Sequence, residues 1–270
     1  MLRFRDNLMR ALVSLGAIAL AICVGCDRCA SPSQLAPEPA PTAEDFERPD
    51  SPMALIPAGP FTKGCLPDDP YFCDSPRETV TLPAYRIDLY EVSAENYSRC
   101  VAARACPHGN RPTIEDGEHL PVQSVTWPEA KAYCDWMGRR LPTSNEWEKA
   151  ARGSDARQFP WGDAWDPTRS NWCDGDECDG SVDGYAEAAP VDAFPGGVSP
   201  FGVYNMAGNV AEWTATPHPA KDGFYIVRGG AFAPPTGMGE PAAQTTWRES
   251  SDPPNVGPGH LGFRCAADKP

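Results

Sequence analysis

Apolar and polar positions divide the chain into a front half with regular periodicity and a back half almost without it. Residues 53–64, Met-Ala-Leu-Ile-Pro-Ala-Gly-Pro-Phe-Thr-Lys-Gly, predict a short strand, a turn and a second strand. Thr79 to Tyr90 alternates apolar and polar residues, as a half-buried strand does. Helical spacing begins at Ser93, a cap followed three positions later by Asn96, and Val122-Gln-Ser-Val predicts one more brief strand. Two capping boxes follow. Thr126 with Glu129 opens a helix that Gly138 stops, and Thr143 with Glu146 opens another that ends at Gly153. From 154 to 270 the pattern is turns and short strands, with Trp161, Trp165, Trp172, Trp213 and Trp247 as expected core anchors. No internal repeat is evident, so one domain from about 52 onward is the simplest organisation.

Composition narrows the class. Thirty-one prolines and 24 glycines among 270 residues disfavour long helical arrays and favour a loop-rich α+β domain. A formal net charge of −14 leaves no basic patch and argues against nucleic acid as a partner. The first 25 residues read as a targeting segment: Arg3, Arg5 and Arg10 precede a short apolar run from Ala11 to Val24. That run ends in Ile-Cys-Val-Gly-Cys26, similar to a bacterial lipobox with Cys26 as the lipidated residue, although Cys23 stands where the pattern prefers leucine. The expectation is an exported lipoprotein of the bacterial envelope, with a soluble secreted protein or an uncleaved anchor as alternatives. Residues 26–51 are rich in proline, lack apolar periodicity, and form the expected tether.

Eleven cysteines suit an oxidising compartment. Six fall in close pairs, Cys65 with Cys73, Cys100 with Cys106, and Cys173 with Cys178, each closing a short loop. Cys134 and Cys265 are left as candidates for one long-range bridge, and Cys29 in the tether is odd. Zinc is disfavoured, because no Cys-x₂-Cys is present and His108, His119, His218 and His260 are scattered.

The stretch Phe201-Gly-Val-Tyr-Asn-Met-Ala-Gly-Asn-Val-Ala-Glu-Trp213 concentrates hard oxygen donors. Asn205, Asn209 and Glu212, with Gly208 permitting a sharp turn, suit a cation such as Ca²⁺; the same residues also suit a plain tight turn entering a strand. A second concentration is Asp174, Asp176, Asp179 and Asp183, either a cation loop or a solvated acidic one.

Nine segments in order resemble the formylglycine-generating enzyme, or sulfatase-modifying-factor, family across roughly residues 53–268. They are Ile56-Pro-Ala-Gly-Pro-Phe, Arg86-Ile-Asp-Leu-Tyr-Glu-Val, Pro121-Val-Gln-Ser-Val-Thr-Trp-Pro-Glu-Ala, Gly138-Arg-Arg-Leu-Pro-Thr-Ser-Asn-Glu-Trp-Glu, Phe159-Pro-Trp-Gly, Pro190-Val-Asp-Ala-Phe, the 201–213 stretch, Val227-Arg-Gly-Gly and Leu261-Gly-Phe-Arg-Cys. The resemblance implies a single α+β domain related to the C-type lectin fold, with little regular secondary structure. It implies two structural calcium sites: one from Asn205, the carbonyls of Gly208 and Val210, and Glu212; the other from Asn171, the carbonyl of Trp172, Asp183 and the carbonyl of Tyr185. It also matches Cys134 and Cys265 to a disulfide the family retains, while a second long-range bridge is lost, one partner position being Ala151.

The family's chemistry, by the same resemblance, needs two copper-binding cysteines soon after an Arg-Gly-Gly-Ser motif, with which oxygen converts a substrate cysteine to formylglycine. Counted from Arg228-Gly-Gly, those positions are Pro234 and Gly239, and no cysteine lies between Cys178 and Cys265. Thiolates are what select Cu(I), so copper is not expected. Ala231 stands for the serine and Ala211 for the aromatic before the glutamate. No catalytic residue is assigned. The expectation is a binding or scaffold module for a protein, peptide or glycan, with an oxidoreductase of altered metal chemistry as the alternative.

Overall fold

The computed structural model describes residues 47–65, 76–108, 119–172, 183–232, 248–249, 255, 257 and 259–269, all within the unit Pro41–Pro270. The leader, Cys26, Cys29, Cys73, Cys173, Cys178, Pro234, Gly239 and Trp247 lie outside the described residues.

Strands β1 (Met53–Ile56), β2 (Gly59–Lys63), β3 (Glu78–Leu82) and β4 (Tyr85–Asp88) precede helices α1 (Ala94–Ala102), α2 (Trp127–Trp136) and α3 (Ser144–Arg152). Then come β5 (Ala211–Pro217), β6 (Tyr225–Arg228), β7 (Arg248–Glu249), β8 (Leu261–Gly262) and β9 (Ala266–Asp268). The expected strand pair at 53–64 forms, but its two strands join different sheets: β1 lies against β4, and β2 against β3. The alternation from 79 to 90 is likewise two strands, β3 and β4, parted at Pro83-Ala84. Proline has no N–H for the ladder, which accounts for the break. The brief strand expected at 122–125 is absent. That stretch contributes only a bridge between Ser93 and Pro121 and runs on as loop to the α2 cap.

Both predicted capping boxes close. Glu129 Oε2 accepts from Thr126 N at 2.8 Å, and Glu146 Oε2 accepts from Thr143 N at 2.7 Å. Helix α1 is capped by Ser93, whose hydroxyl accepts from Asn96 N at 3.2 Å. Gly138 and Gly153, both at positive φ, end α2 and α3.

Among the described residues three sheets pack around α3: β1–β4–β9, β2–β3 and β7–β6–β5–β8. Helix α3 is buried nearly all round, Trp147 through Arg152 included. Its polar residues are therefore internally satisfied, as burial demands. Lys149 Nζ donates to the carbonyls of Pro57 and Gly59 at 2.8 and 2.9 Å. Glu148 sits between Arg152 (2.9 Å) and Arg228 (2.8 Å) and accepts from Gly64 N at 2.7 Å. Burial works against the Glu148 carboxylate, but Arg228 and Arg152 outweigh it and hold its pKa below the ordinary value.

One apolar cluster packs Tyr97, Tyr133, Trp213 and Phe263 around the Cys134–Cys265 disulfide; a second packs Ile56, Tyr85, Ile87, Val203 and Met206 on Trp147. Of the expected tryptophan anchors, Trp213 and Trp172 are buried, whereas Trp161 and Trp165 stack half-buried on Phe159. Cys100 pairs with Cys106. Cys65 is disulfide-bonded as well. Just ahead of β1, Pro49 is buried, and Arg139 Nη2 donates to Ser51 O at 2.9 Å.

Cys134 and Cys265 are 131 positions apart. Replacing both with serine is expected to remove about 4–5 kcal/mol of stability, the chain-entropy value for a loop of this size. Urea unfolding of the variant against the parent measures it.

Candidate functional site

The 201–213 stretch lies at the centre of a buried polar network. It turns sharply because Asn205, Gly208 and Asn209 all adopt positive φ, 51°, 75° and 63°. Asparagine tolerates this region and glycine is free in it. Gly208 has a second reason to lack a side chain: a Cβ there would collide with the carbonyl of Asn171. Asn209 N donates to that same carbonyl at 2.8 Å. The two residue sets implied by resemblance therefore share a wall.

Each carboxamide has its orientation set by its partners. Asn205 Nδ2 donates to Glu91 Oε2 (2.8 Å) and Val191 O (3.0 Å). Asn171 Nδ2 donates to Glu187 O and to Asn209 Oδ1, both at 2.9 Å. Asn209 Nδ2 returns to Glu91 Oε1 at 3.1 Å, and its Oδ1 also accepts from Ala189 N at 2.9 Å. Flipping Asn205 or Asn171 would aim an oxygen at oxygen acceptors. The atoms left over are Asn205 Oδ1 and Asn171 Oδ1, both buried and without a hydrogen-bond partner. Buried polar atoms are normally paired, so two orphaned oxygens in one network require a cause.

Glu212, at the start of β5, is fully buried and faces Arg264. Arg264 Nη2 and Nε donate to Glu212 at 2.7 and 2.8 Å, and Trp147 Nε1 donates to Glu212 Oε2 at 2.8 Å. The remaining Arg264 donors reach the carbonyls of Tyr204 (2.9 Å) and of Asp88 and Leu89 (3.3 Å each). Glu91 is the second carboxylate of this cell. Burial pushes its pKa up to about 8, with Arg264 opposing and the Glu212 carboxylate adding to the rise. Two carboxylates facing one guanidinium leave an excess negative charge unless one takes a proton or a cation enters.

Of the second set, Asp183 bridges two backbones. Its Oδ2 accepts from Trp172 N at 2.8 Å and its Oδ1 from Tyr185 N at 2.9 Å. Asn171, Trp172, Asp183 and Tyr185 are thus brought to one place, although Asp174, Asp176 and Asp179 lie outside the described residues. Val210 is buried in the turn into β5. Ala211 packs in the α1–α2 cluster, and Ala231 is buried beside it. The sequence reading missed Glu91 and the bidentate role of Arg264. Their signals were a lone acid between Tyr90 and Val92 and an arginine between Phe263 and Cys265, apolar settings for charged residues.

These features, a small-helix α+β scaffold with a buried Asn/Glu/Arg centre, define a class. The Sulfatase-modifying factor enzyme 1-like domain model matches residues 39–269. The chain belongs to this sulfatase-modifying-factor, or formylglycine-generating-enzyme, family. Inactive C-alpha-formylglycine-generating enzyme 2 of Mus musculus is 40% identical over 166 residues, covering 60% of this chain and 53% of that protein. The chain thus spans about half the length of that relative. The formylglycine-generating enzyme of Bos taurus is 30% identical over 301 residues, 85% of this chain and 78% of that protein. Among solved structures, PvdO from Pseudomonas aeruginosa superposes with a TM-score of 0.65 at 25% identity, covering 80% of this chain and 94% of that one.

Glu212→Gln keeps the shape but removes the charge paired with the buried Arg264. Breaking such a pair costs about 3–5 kcal/mol, so the urea midpoint should fall accordingly. Gly208→Ala should also destabilise strongly, through collision and an unfavourable φ, with chemical denaturation again the measurement.

Proposed function

We propose that this chain is an envelope-anchored member of the family that retains the scaffold, lacks the copper chemistry, and works as a calcium-stabilised module binding a protein, peptide or glycan. The observation that carries the proposal is the thiol content of the catalytic segment. No cysteine lies between Cys178 and Cys265, and the positions counted for the copper pair hold Pro234 and Gly239. Soft sulfur is what selects Cu(I), and neither proline nor glycine supplies a side-chain donor. The mouse relative described as inactive adds support at the level of the family.

The orphaned carboxamide oxygens fit calcium, and Glu212, whose oxygens already accept from Arg264 and Trp147, would share them with the ion. Asn205 and Glu212, with the carbonyls of Gly208 and Val210, would hold one ion. Asn171 and Asp183, with the carbonyls of Trp172 and Tyr185, would hold the other. Support comes from the two orphaned oxygens, Asn205 Oδ1 and Asn171 Oδ1, one in each set. Hard oxygen donors of this kind are calcium's ligands. The ion's contribution is structural: it ties loop to loop where little regular secondary structure does so. For localisation, we read residues 1–25 as a lipoprotein leader, Cys26 as the lipidated residue, 26–51 as the tether, and 52–270 as the exported domain.

Two measurements test the proposal. Purified chain incubated with copper, oxygen and a Cys-x-Pro-x-Arg peptide should leave the cysteine unchanged by mass spectrometry. Formylglycine in the product would instead establish altered-metal oxidase chemistry. Calcium at a hundredfold its Kd should raise the Tm above the chelated sample by roughly 5–10 °C. Asn205→Ala should lose part of that difference, and an unchanged difference would remove Asn205 from the ligand set.

A further inference from the structure

On the outer side of the buried network lie three residues, each one position away from a member of it. Tyr90 precedes Glu91, Tyr204 precedes Asn205, and Asp192 follows Val191. Asn205 Nδ2 joins Glu91 Oε2 to Val191 O, at 2.8 and 3.0 Å, and Tyr204 N donates to Leu89 O at 2.9 Å. The three backbones are thereby fixed to one another. Arg264 reinforces this from beneath, donating to Tyr204 O at 2.9 Å.

The result is a preset surface. The rings of Tyr90 and Tyr204 have centroids 4.8 Å apart and planes inclined by 47°. Both are half-buried, and Asp192 is exposed beside them. Burial, then Tyr204, then Asp192 hold the Tyr90 phenol above its ordinary pKa, which places the Asp192 carboxylate within electrostatic reach of the ring pair. The network uses only backbone groups of Tyr204, its N–H and carbonyl, and leaves the rings to the surface.

We propose that Tyr90, Tyr204 and Asp192 form a binding site for a lysine or arginine side chain presented by a protein partner. Ring faces carry the negative part of the aromatic quadrupole and attract cations, and a neighbouring carboxylate adds a full charge. With centroids 4.8 Å apart the two rings touch, so an alkylammonium or guanidinium would lie across the pair on the side of Asp192 and not between the rings. The chain's net charge of −14 draws basic segments toward it at a distance. Because buried hydrogen bonds hold the surface in place, little of its own freedom is lost on binding. The site stands independently of the non-catalytic reading, since peptide oxidation tests the one and ring shifts test the other.

The test uses the full chain with ¹³C-labelled tyrosine rings, titrated with N-acetylated, C-amidated Gly-Lys-Gly and Gly-Arg-Gly, and with the same blocked Gly-norleucine-Gly as the uncharged control. The ring signals of Tyr90 and Tyr204 should shift saturably with the basic peptides and not with the control. Asp192→Asn, at an exposed position, should weaken binding about two- to fivefold, the range for one exposed charge contact. Tyr90→Leu should abolish the shift at Tyr204; if that variant does not fold, Asp192→Asn decides alone. Absence of saturable shifts, equal shifts with norleucine, or unchanged affinity in Asp192→Asn would overturn the proposal. So would tetramethylammonium moving the rings while the basic peptides do not, which would reassign the site to a quaternary ammonium headgroup.

Discussion

The ion pair between Arg264 and Glu212 is the contact on which the rest of this domain depends. Both side chains are fully buried, so neither charge has solvent to fall back on. The pair joins the short β8 end of the chain to β5. Through its other donors Arg264 collects the carbonyls of Asp88, Leu89 and Tyr204, and through Glu212 the indole of α3's Trp147. A fold with strands of two to seven residues cannot rely on long ladders to hold its layers in register. Directional charged hydrogen bonds do that here, assisted by the Cys134–Cys265 bridge next to the same arginine.

A second buried charge cluster, Arg152–Glu148–Arg228, repeats the device on the opposite polarity. There one carboxylate serves two guanidiniums. In the Arg264 cell two carboxylates, Glu212 and Glu91, serve one. The two cells are joined along α3, whose Trp147 touches the first and whose Glu148 belongs to the second. This accounts for the burial of α3 although Glu146, Glu148, Lys149 and Arg152 fall within about two turns of it.

How much of this was legible in the sequence depended on range. Capping boxes at Thr126 and Thr143 are local and marked both helices correctly. Strand partners were not legible, because β1 pairs with β4 across the whole β2–β3 hairpin and nothing in four residues specifies that. The Asn205 turn was identified from its oxygen donors, and positive φ at Asn205, Gly208 and Asn209 accounts for that composition. What escaped was the long-range complement. Asn171 meets Asn209 across 38 positions, and Glu91 meets Asn205 across 114. A lone glutamate in the loop after a strand ordinarily faces water, and only its apolar neighbours hinted otherwise. The tryptophan count misled in the same way: Trp147 is a central anchor, while Trp161 and Trp165 form a half-buried satellite.

We propose a domain that keeps structural oxygen-donor sites and lacks soft-metal catalysis. Metal content of the intact chain tests it most directly. Protein purified after equal exposure to calcium, copper and iron, then desalted and examined by native and elemental mass spectrometry, should carry two calcium ions per chain and no stoichiometric copper or iron. Stoichiometric copper or iron, or no calcium at all, would contradict the account.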